Sequence, residues 1–294
     1  MEDSTLGQIE APVKQRTTPG IGFNMKEYRG IGYQAKLCIA TLDKDGLTVP
    51  TEIFYSAPYK LTNYFRLNNG GIEYILMNAS AGIMARDNYH TKIDVGDKTK
   101  LVLSSQSFEK IHDMDGGVAN RVTLVNIGNN AYFKYIPLPT IPFAGSAFNN
   151  VATINLKDKT SQMIYAEVLS CGRYLGNESF GYVHYKSLID IYQTEKLVYR
   201  DRNVFIPKEQ KMECFGLFES YSHLSNIIIF GLSLSESIIN QISNLFNVYK
   251  VDGGITTLLN DGYLIRAFAN GSEALIKCFT EIITSIEQEN NLTN

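Results

Sequence analysis

Apolar residues recur at every second position in one segment after another over the first three quarters of this 294-residue chain. Clear examples are YQAKLCIATL (33–42), TKLVLSSQ (99–106), RVTLVNI (121–127) and SLIDIYQ (187–193). Because successive side chains of a strand point to opposite faces, this alternation is typical of β-strands. Turns such as NNGG (68–71) and DMDGG (113–117) separate the segments with residues that tolerate positive φ. The pattern predicts a mainly β protein with many short strands.

The pattern changes near the C-terminus, where apolar residues fall on one face of a helix. In 233–250, Ser233 and Glu236 form a capping-box pattern, and in 271–288 Ser272 is a good N-cap residue. The two apolar stripes are Leu234, Ile238, Ile239, Ile242, Leu245 and Phe246, and then Leu275, Cys278, Phe279, Ile282, Ile283 and Ile286. The stretch between them alternates like a β-hairpin, and we expect both stripes to pack mainly on the β-rich body.

These changes of pattern divide the chain into four parts. We predict a polar N-terminal leader (1–28), a β-rich body (29–232), a helix-hairpin-helix part of the same domain (233–286) and a polar tail (287–294). Self-similarity at a constant spacing would indicate a regular solenoid, but no fixed period is visible. The sequence alone therefore does not predict a readable repeat.

Composition and charge exclude several classes of protein. The net charge of −3 offers no field that would attract a phosphate backbone, so nucleic acid is not expected as a partner. The first twenty residues carry acids and no apolar stretch, so neither a secretory signal nor a membrane anchor is predicted, and we expect a cytoplasmic protein. The cysteines are widely separated and lie in apolar runs, which favours buried free thiols: Cys38, Cys171, Cys214 and Cys278.

Catalytic motifs are not evident. The four histidines, at positions 90, 112, 184 and 223, lack the spacing of a transition-metal site, and no phosphate-binding loop or GxSxG elbow is present. The polar stretch SSQSFEKIH (104–112) would place Ser105, Ser107 and Glu109 on one face of a continuous strand. Because its serine, histidine and glutamate would not share a face, it reads as a polar strand end and not as a catalytic triad.

Two other classes remain open on the residues alone. The 18 tyrosines, many of them in predicted strands, suit a β-rich structural or carbohydrate-binding module, although tyrosine in strands usually serves packing and the chain has no tryptophan for sugar stacking. A metal-dependent hydrolase is disfavoured by the dispersed histidines.

Five segments, taken in order, carry a more specific signal. They are NASAGIMARDNYHTKIDVGDKTKLVLSSQSFEKIH (78–112), YIPLPTIPFAGSAF (135–148), YAEVLSCGRYLGNESF (165–180), YSHLSNIIIFG (221–231) and GYLIRAFANGSEALIK (262–277). Together they resemble the urease accessory protein family called UreD, or UreH in helicobacters, over roughly residues 33–285. The motif positions are Gly82, Asp87, Gln106, Lys110, Pro142, Gly172 and Arg173. Departures from the family pattern include Ala81, Arg86, Glu109 and His112, which suggests a divergent branch.

The resemblance implies a nickel-insertion chaperone with a β-helix-like body of many short strands and a small C-terminal α-helical part. Such proteins dock on apo-urease and, with the helical partner UreF, recruit the GTPase UreG, which carries nickel. The chain itself would then not be an enzyme. It would hold no permanent cofactor and would conduct Ni²⁺ in transit toward the urease active site.

A path for a cation in transit needs weak ligands, because imidazole or thiolate clusters would retain nickel. The acids inside the matching motifs are therefore the candidates: Asp87, Glu167 and Glu178. Each has a structural alternative. Asp87 could close a turn, Glu167 could form an ion pair with Arg173, and Glu178 could be a solvated loop acid.

Overall fold

The computed structural model describes residues 32–292, so the predicted leader (1–28) lies outside the described residues. Within this range the chain forms 18 strands in two sheets and two α-helices. The strands are β1 (Gln34–Lys44), β2 (Leu47–Tyr55), β3 (Tyr59–Leu61), β4 (Phe65–Arg66), β5 (Ile72–Asn78), β6 (Asn88–Val95), β7 (Lys100–Ser105), β8 (Glu109–Ile111), β9 (Ala119–Ile127), β10 (Tyr132–Ile136), β11 (Thr140–Pro142), β12 (Ala147–Leu156), β13 (Gln162–Ser170), β14 (His184–Gln193), β15 (Lys196–Phe205), β16 (His223–Phe230), β17 (Asp252–Thr257) and β18 (Tyr263–Ala269). The helices are α1 (Glu236–Tyr249) and α2 (Ser272–Glu289), and single 3₁₀ turns span Tyr174–Gly176 and Leu259–Asp261.

From β5 to β14 the chain coils between the two sheets. The first sheet has the order β15-β14-β12-β9-β6-β1-β2, and the second has the order β17-β18-β16-β13-β10-β7-β5-β3. Each pass adds one strand parallel to its predecessor: β6, β9, β12 and β14 in the first sheet, and β5, β7, β10 and β13 in the second. The short parallel pair β8 and β11 lies beside this coil. The prediction of a mainly β, β-helix-like body is confirmed.

Asparagine ladders fix the register of the first sheet. Asn120 donates to the Oδ1 of Asn88 at 3.1 Å, and Asn149 donates to the Oδ1 of Asn120 at 2.9 Å. The first step spans 32 residues and the second spans 29. Because the connections between strands differ in length from turn to turn, the coil has no constant sequence period.

Two apolar cores surround the second sheet. One fills the space between the two sheets, and the other lies between the outer face of the second sheet and the helices. All six predicted stripe residues of α2 are buried there, as are Ile238, Ile242, Leu245 and Phe246 of α1. The helices therefore pack on the β-rich body, as the sequence predicted.

The predicted helix starts need correction. Ser235 caps α1, because its side chain accepts a hydrogen bond from the backbone N–H of Ile238, so the capping box at Ser233 is wrong. Ser272 is the first residue of α2, and Gly271 occupies the N-cap position. The hairpin between the helices is confirmed as the antiparallel pair β17 and β18.

Two further expectations differ from the structure. Residues 104–112 do not form one strand: β7 ends at Ser105 and β8 begins at Glu109, so strict alternation does not run through the segment. The four cysteines are free, but only Cys171 and Cys278 are buried, whereas Cys214 is exposed. Among the helices of the described range, none has the length and apolar character needed to cross a membrane.

The contact between α2 and the second sheet should carry much of the stability. Ile282 is fully buried, so Ile282→Ala should lower the free energy of unfolding by about 2–5 kcal/mol, and Ile282→Asp should prevent folding. Urea titration measures the effect. Thr284→Ala, at an exposed position of the same helix, should change the free energy of unfolding by no more than about 0.5 kcal/mol. Equal midpoints for the two alanine variants would contradict this account.

Candidate functional site

A cavity of about 530 Å³ lies between the two sheets. Its wall combines apolar strand residues with tyrosines and a set of polar side chains: Glu109, Arg121, Glu167, Ser187, Asn203 and Asn226. The lining residues that are solvent-exposed are Ala81, Gln106, Ser107, Phe108 and Lys110. Since these exposed residues come from two neighbouring segments, the cavity opens to solvent where β7 ends and β8 begins.

An ion pair lies inside this cavity. Nη1 of Arg121 donates to both carboxylate oxygens of Glu109 at 2.7 Å, and its Nε donates to the Oδ1 of Asn150 at 3.0 Å. Both charged side chains are largely buried, with 14% and 22% of their surfaces exposed. A charge-assisted pair of this geometry is among the stronger polar contacts in a protein interior. It neutralises Glu109 within the cavity wall.

Polar residues continue across the first sheet from this pair. Asn150, Ser187 and Asn203 follow Arg121 in register on adjacent strands. Asn150 Nδ2 donates to the Oγ of Ser187 at 3.0 Å. The result is a polar row that crosses β9, β12, β14 and β15 on the face directed at the second sheet.

The second sheet carries a matching row. Glu167 on β13 is in register with Asn226 on β16, which is in register with Arg266 on β18. Glu167 forms no ion pair with any residue in 32–292. Burial raises the pKa of Glu167 to about 7; Arg121 opposes this shift, and the carboxylates of Asp201 and Glu109 add to it. The cavity therefore holds one carboxyl group that exchanges its proton near neutral pH.

The three acids predicted from the motifs do not come together. Glu167 lines the cavity, whereas Asp87 and Glu178 are not among its wall residues. Asp87 is buried and accepts hydrogen bonds from the backbone N–H groups of Tyr33 and Met84, at 2.7 and 2.9 Å, and from the hydroxyl of Tyr89. These bonds close the turn before β6, which is the structural role considered for Asp87.

Glu178 stabilises a loop. It pairs with Arg173 and accepts a hydrogen bond from the backbone N–H of Ala144 at 2.6 Å. The pairing of Arg173 with Glu178 corrects the expectation that Arg173 would pair with Glu167. No group of three or more His, Cys, Asp or Glu side chains in the described range has the geometry to hold a metal ion.

The motif residues shape the end of the molecule where the cavity opens. Gly82, Gln106 and Lys110 line the opening. Gly82 has φ of 151°, and a Cβ there would lie 2.4 Å from the carbonyl oxygen of Lys110. Gly172 has φ of 143°, and a Cβ there would lie 2.6 Å from the carbonyl oxygen of Glu178. Only glycine fits such positions, so these motif residues act through backbone geometry.

Sequence reasoning missed most of the cavity wall. Arg121, Asn203 and Asn226 were not singled out, and Glu109 was noted only as a departure from the family pattern. A signal was available for one of them: the alternation in 121–127 places Arg121 on the same strand face as Val125 and Ile127, which are buried. A charge on a core-facing position indicates a polar interior site.

Comparisons with known proteins agree with the fold and the motif positions. The model of the family described as UreD urease accessory protein matches residues 34–293. UreD of Acetivibrio thermocellus is 30% identical over 83% of this chain and 94% of its own length. UreH of Helicobacter pylori strain J99 is 30% identical over 87% of this chain and 96% of its own length, and UreH of Helicobacter hepaticus is 32% identical over 79% and 90%.

The β-helix-like body with its helical cover is thus the fold of an accessory protein. The chain belongs to the UreD family of urease accessory proteins.

The buried carboxyl group of Glu167 should make stability depend on pH. A carboxyl group whose pKa is higher in the folded than in the unfolded state lowers the free energy of unfolding once it must ionise. This loss of stability is absent below about pH 4.5, grows toward pH 7 and is complete above pH 7. Glu167→Gln removes this cost. We expect the free energy of unfolding of the variant to equal that of the wild type near pH 4.5 and to exceed it by at most roughly 3 kcal/mol at pH 8.

Urea titrations of both proteins at several pH values measure this difference. Glu213→Gln, at an exposed position, is the control, and its free energy of unfolding should not rise relative to that of the wild type as the pH increases. If the difference in free energy of unfolding between the wild type and Glu167→Gln stayed constant from pH 4.5 to pH 8, the raised pKa of Glu167 would be contradicted.

Proposed function

We propose that this chain is a non-catalytic scaffold of urease maturation, which acts in the cytoplasm with UreF, UreG and apo-urease and conducts nickel through its interior cavity. The family membership supports the role in urease maturation. The observation that carries the conducting role is the interior cavity itself, which opens beside Gly82, Gln106 and Lys110. Its wall contains the carboxyl group of Glu167, which has no ion pair within residues 32–292.

The chemistry of the cavity wall suits a cation that must enter and leave. Glu109 is neutralised by Arg121, so Glu167 is the carboxyl group of the wall that has no ion-pair partner within residues 32–292. The same wall carries neutral oxygen groups such as Ser187 and Asn203, besides the guanidinium of Arg121 that Glu109 neutralises, and space remains for water. Oxygen ligands bind nickel more weakly than imidazole or thiolate, so such a wall passes the ion on and does not retain it.

Proton exchange at Glu167 would accompany each passage. In the empty cavity the carboxyl group is partly protonated near pH 7, because burial disfavours its charge. An arriving divalent cation favours the ionised form and displaces the proton. When the cation leaves, the carboxylate takes up a proton again, which lowers its affinity for the ion and assists release.

The nickel roles of Asp87 and Glu178 have less support. The carboxylate oxygens of both side chains accept hydrogen bonds that stabilise loops. In this proposal they maintain the shape of the opening, and Glu167 contacts the ion.

The carbohydrate-binding alternative is not favoured. Tyr59, Tyr165 and Tyr185 are buried, with at most 5% of each residue exposed, so they do not form a stacking platform at the surface.

In the proposed role the purified chain, free of partner proteins, should hydrolyse neither GTP nor ester substrates. Sustained turnover by the pure chain would contradict the assignment as a scaffold.

Nickel delivery gives the direct test. Glu167→Gln removes the charge with little change in volume, and because Glu167 has no ion-pair partner the variant should fold and assemble normally. We expect the nickel content of urease from cells with this variant to fall several-fold. Nickel is measured by elemental analysis, and assembly with the partner proteins is verified by pull-down.

Glu167→Asp is the matched control, since it keeps a carboxyl group in the cavity and should retain most of the delivery. Full nickel loading with Glu167→Gln, in cells where assembly is intact, would exclude conduction past Glu167.

A further inference from the structure

The two polar rows meet at the edge of the cavity farthest from Arg121. There β15 of the first sheet faces β18 of the second, and we call this contact the β15–β18 seam, formed by Tyr199 and Asp201 on β15 and by Leu264, Arg266 and Phe268 on β18. Tyr199, Leu264 and Phe268 pack against the apolar core between the sheets. Arg266 and Asp201 interrupt this apolar contact.

The ion pair lies between the cavity and solvent. Nη2 of Arg266 donates to the two carboxylate oxygens of Asp201 at 3.1 and 3.3 Å. The side chain of Arg266 is 38% exposed, whereas that of Asp201 is 11% exposed. The guanidinium therefore reaches solvent while the carboxylate faces inward.

Two residues of the cavity wall hold the inner side of the pair. Asn226 accepts a hydrogen bond from Nε of Arg266 at 2.8 Å and donates to Asp201 at 3.3 Å. Asn203 also donates to Asp201, at 3.0 Å. Since both amides line the cavity and Arg266 reaches solvent, the Arg266–Asp201 pair lies between the polar wall and solvent at this point of the described range.

An ion pair is a costly way to close such a contact. A partly buried pair loses hydration and commonly stabilises a protein no more than apolar side chains of similar volume would. The seam is otherwise apolar, so an apolar pair would continue it. The presence of an ion pair at this position therefore needs an explanation other than a contribution to folding stability.

We propose that the Arg266–Asp201 pair is a gate that closes a second opening of the cavity, at the β15–β18 seam. The inference rests on the proposed conduction and adds its exit. Arg266, which reaches solvent, moves outward, while Asp201 stays in place because Asn203 and Asn226 hold it. Opening frees the carboxylate of Asp201, which then offers the next oxygen ligand after Glu167.

Thiol labelling of the cavity tests the gate without nickel or partner proteins. Ser187 lies in the cavity wall and is 4% exposed, so Ser187→Cys in the full-length chain places a reporter thiol there. The probe is the small cation methanethiosulfonate ethylammonium, and peptide mass spectrometry follows its attachment. In the parent the reagent enters only through the opening between β7 and β8. Arg266→Ala should raise the labelling rate at position 187 by about tenfold above that of the parent, because a second route through the seam is then open. Asp201→Asn, which keeps the side-chain shape, should raise it in the same direction.

Controls within the chain separate gating from unfolding. Exposed Cys214 reports that the reagent is active, and Cys278, which is fully buried on the inner face of α2, should stay unlabelled. Arg200→Ala is the matched variant and should leave the rate unchanged. Arg200 lies on β15 next to Asp201 and is half exposed, and the variant breaks its pair with Asp190 on β14. Replacing both gate residues by leucine should return the rate to that of the parent.

Equal labelling in the parent, Arg266→Ala and Asp201→Asn, with Cys278 protected, would overturn the gate. That result would leave conduction past Glu167 untouched, because nickel loading tests it separately. Conversely, normal nickel loading in Glu167→Gln would refute the conduction, and the labelling result would still decide whether the seam opens.

Discussion

The bidentate pair between Arg121 and Glu109 sets the character of the interior. A guanidinium between two sheets must be solvated by neighbouring polar groups, because an unpaired charge in an apolar core is prohibitively costly. Glu109 supplies the counter-charge and Asn150 accepts from Nε, and the polar row then continues to Ser187. The cavity and its hydrophilic wall depend on this arrangement.

The polar part of the cavity wall interrupts the apolar core between the sheets, so part of the stability must come from another contact. The second sheet provides it on its outer face, where the apolar stripes of α1 and α2 cover a separate core. Lys134 and Tyr132 extend this contact by binding the carboxylate of Glu287 at 2.6 and 2.8 Å. The division explains how one protein combines an apolar helical cover with a cavity that has polar side chains in its wall, and why the helices belong to the body.

The motif residues serve geometry more than chemistry. Gly82 and Gly172 permit close backbone contacts, Asp87 closes a turn, and the pair of Arg173 with Glu178 fixes a loop. All of these belong to connections at the ends of the strands, and Gly82 also lines the opening of the cavity. The wall residues that face the interior come from two sources. Glu109, Glu167 and Asn226 lie within the motif segments, whereas Arg121, Ser187 and Asn203 lie on strands between them.

Alternation of apolar residues by itself determined the strands, and the stripes determined both helices and the surface that they cover, because these signals are encoded within a few neighbouring residues. Glu167 was also found from its sequence context. The partner of Arg173, the break in 104–112 and the wall formed by Arg121, Asn203 and Asn226 were decided only by the tertiary structure. Arg266 and Asp201 are 65 residues apart, and their contact depends on how each sheet sets the register of its strands. Because the connections in the coil vary in length, no local pattern reveals which side chains face one another across it.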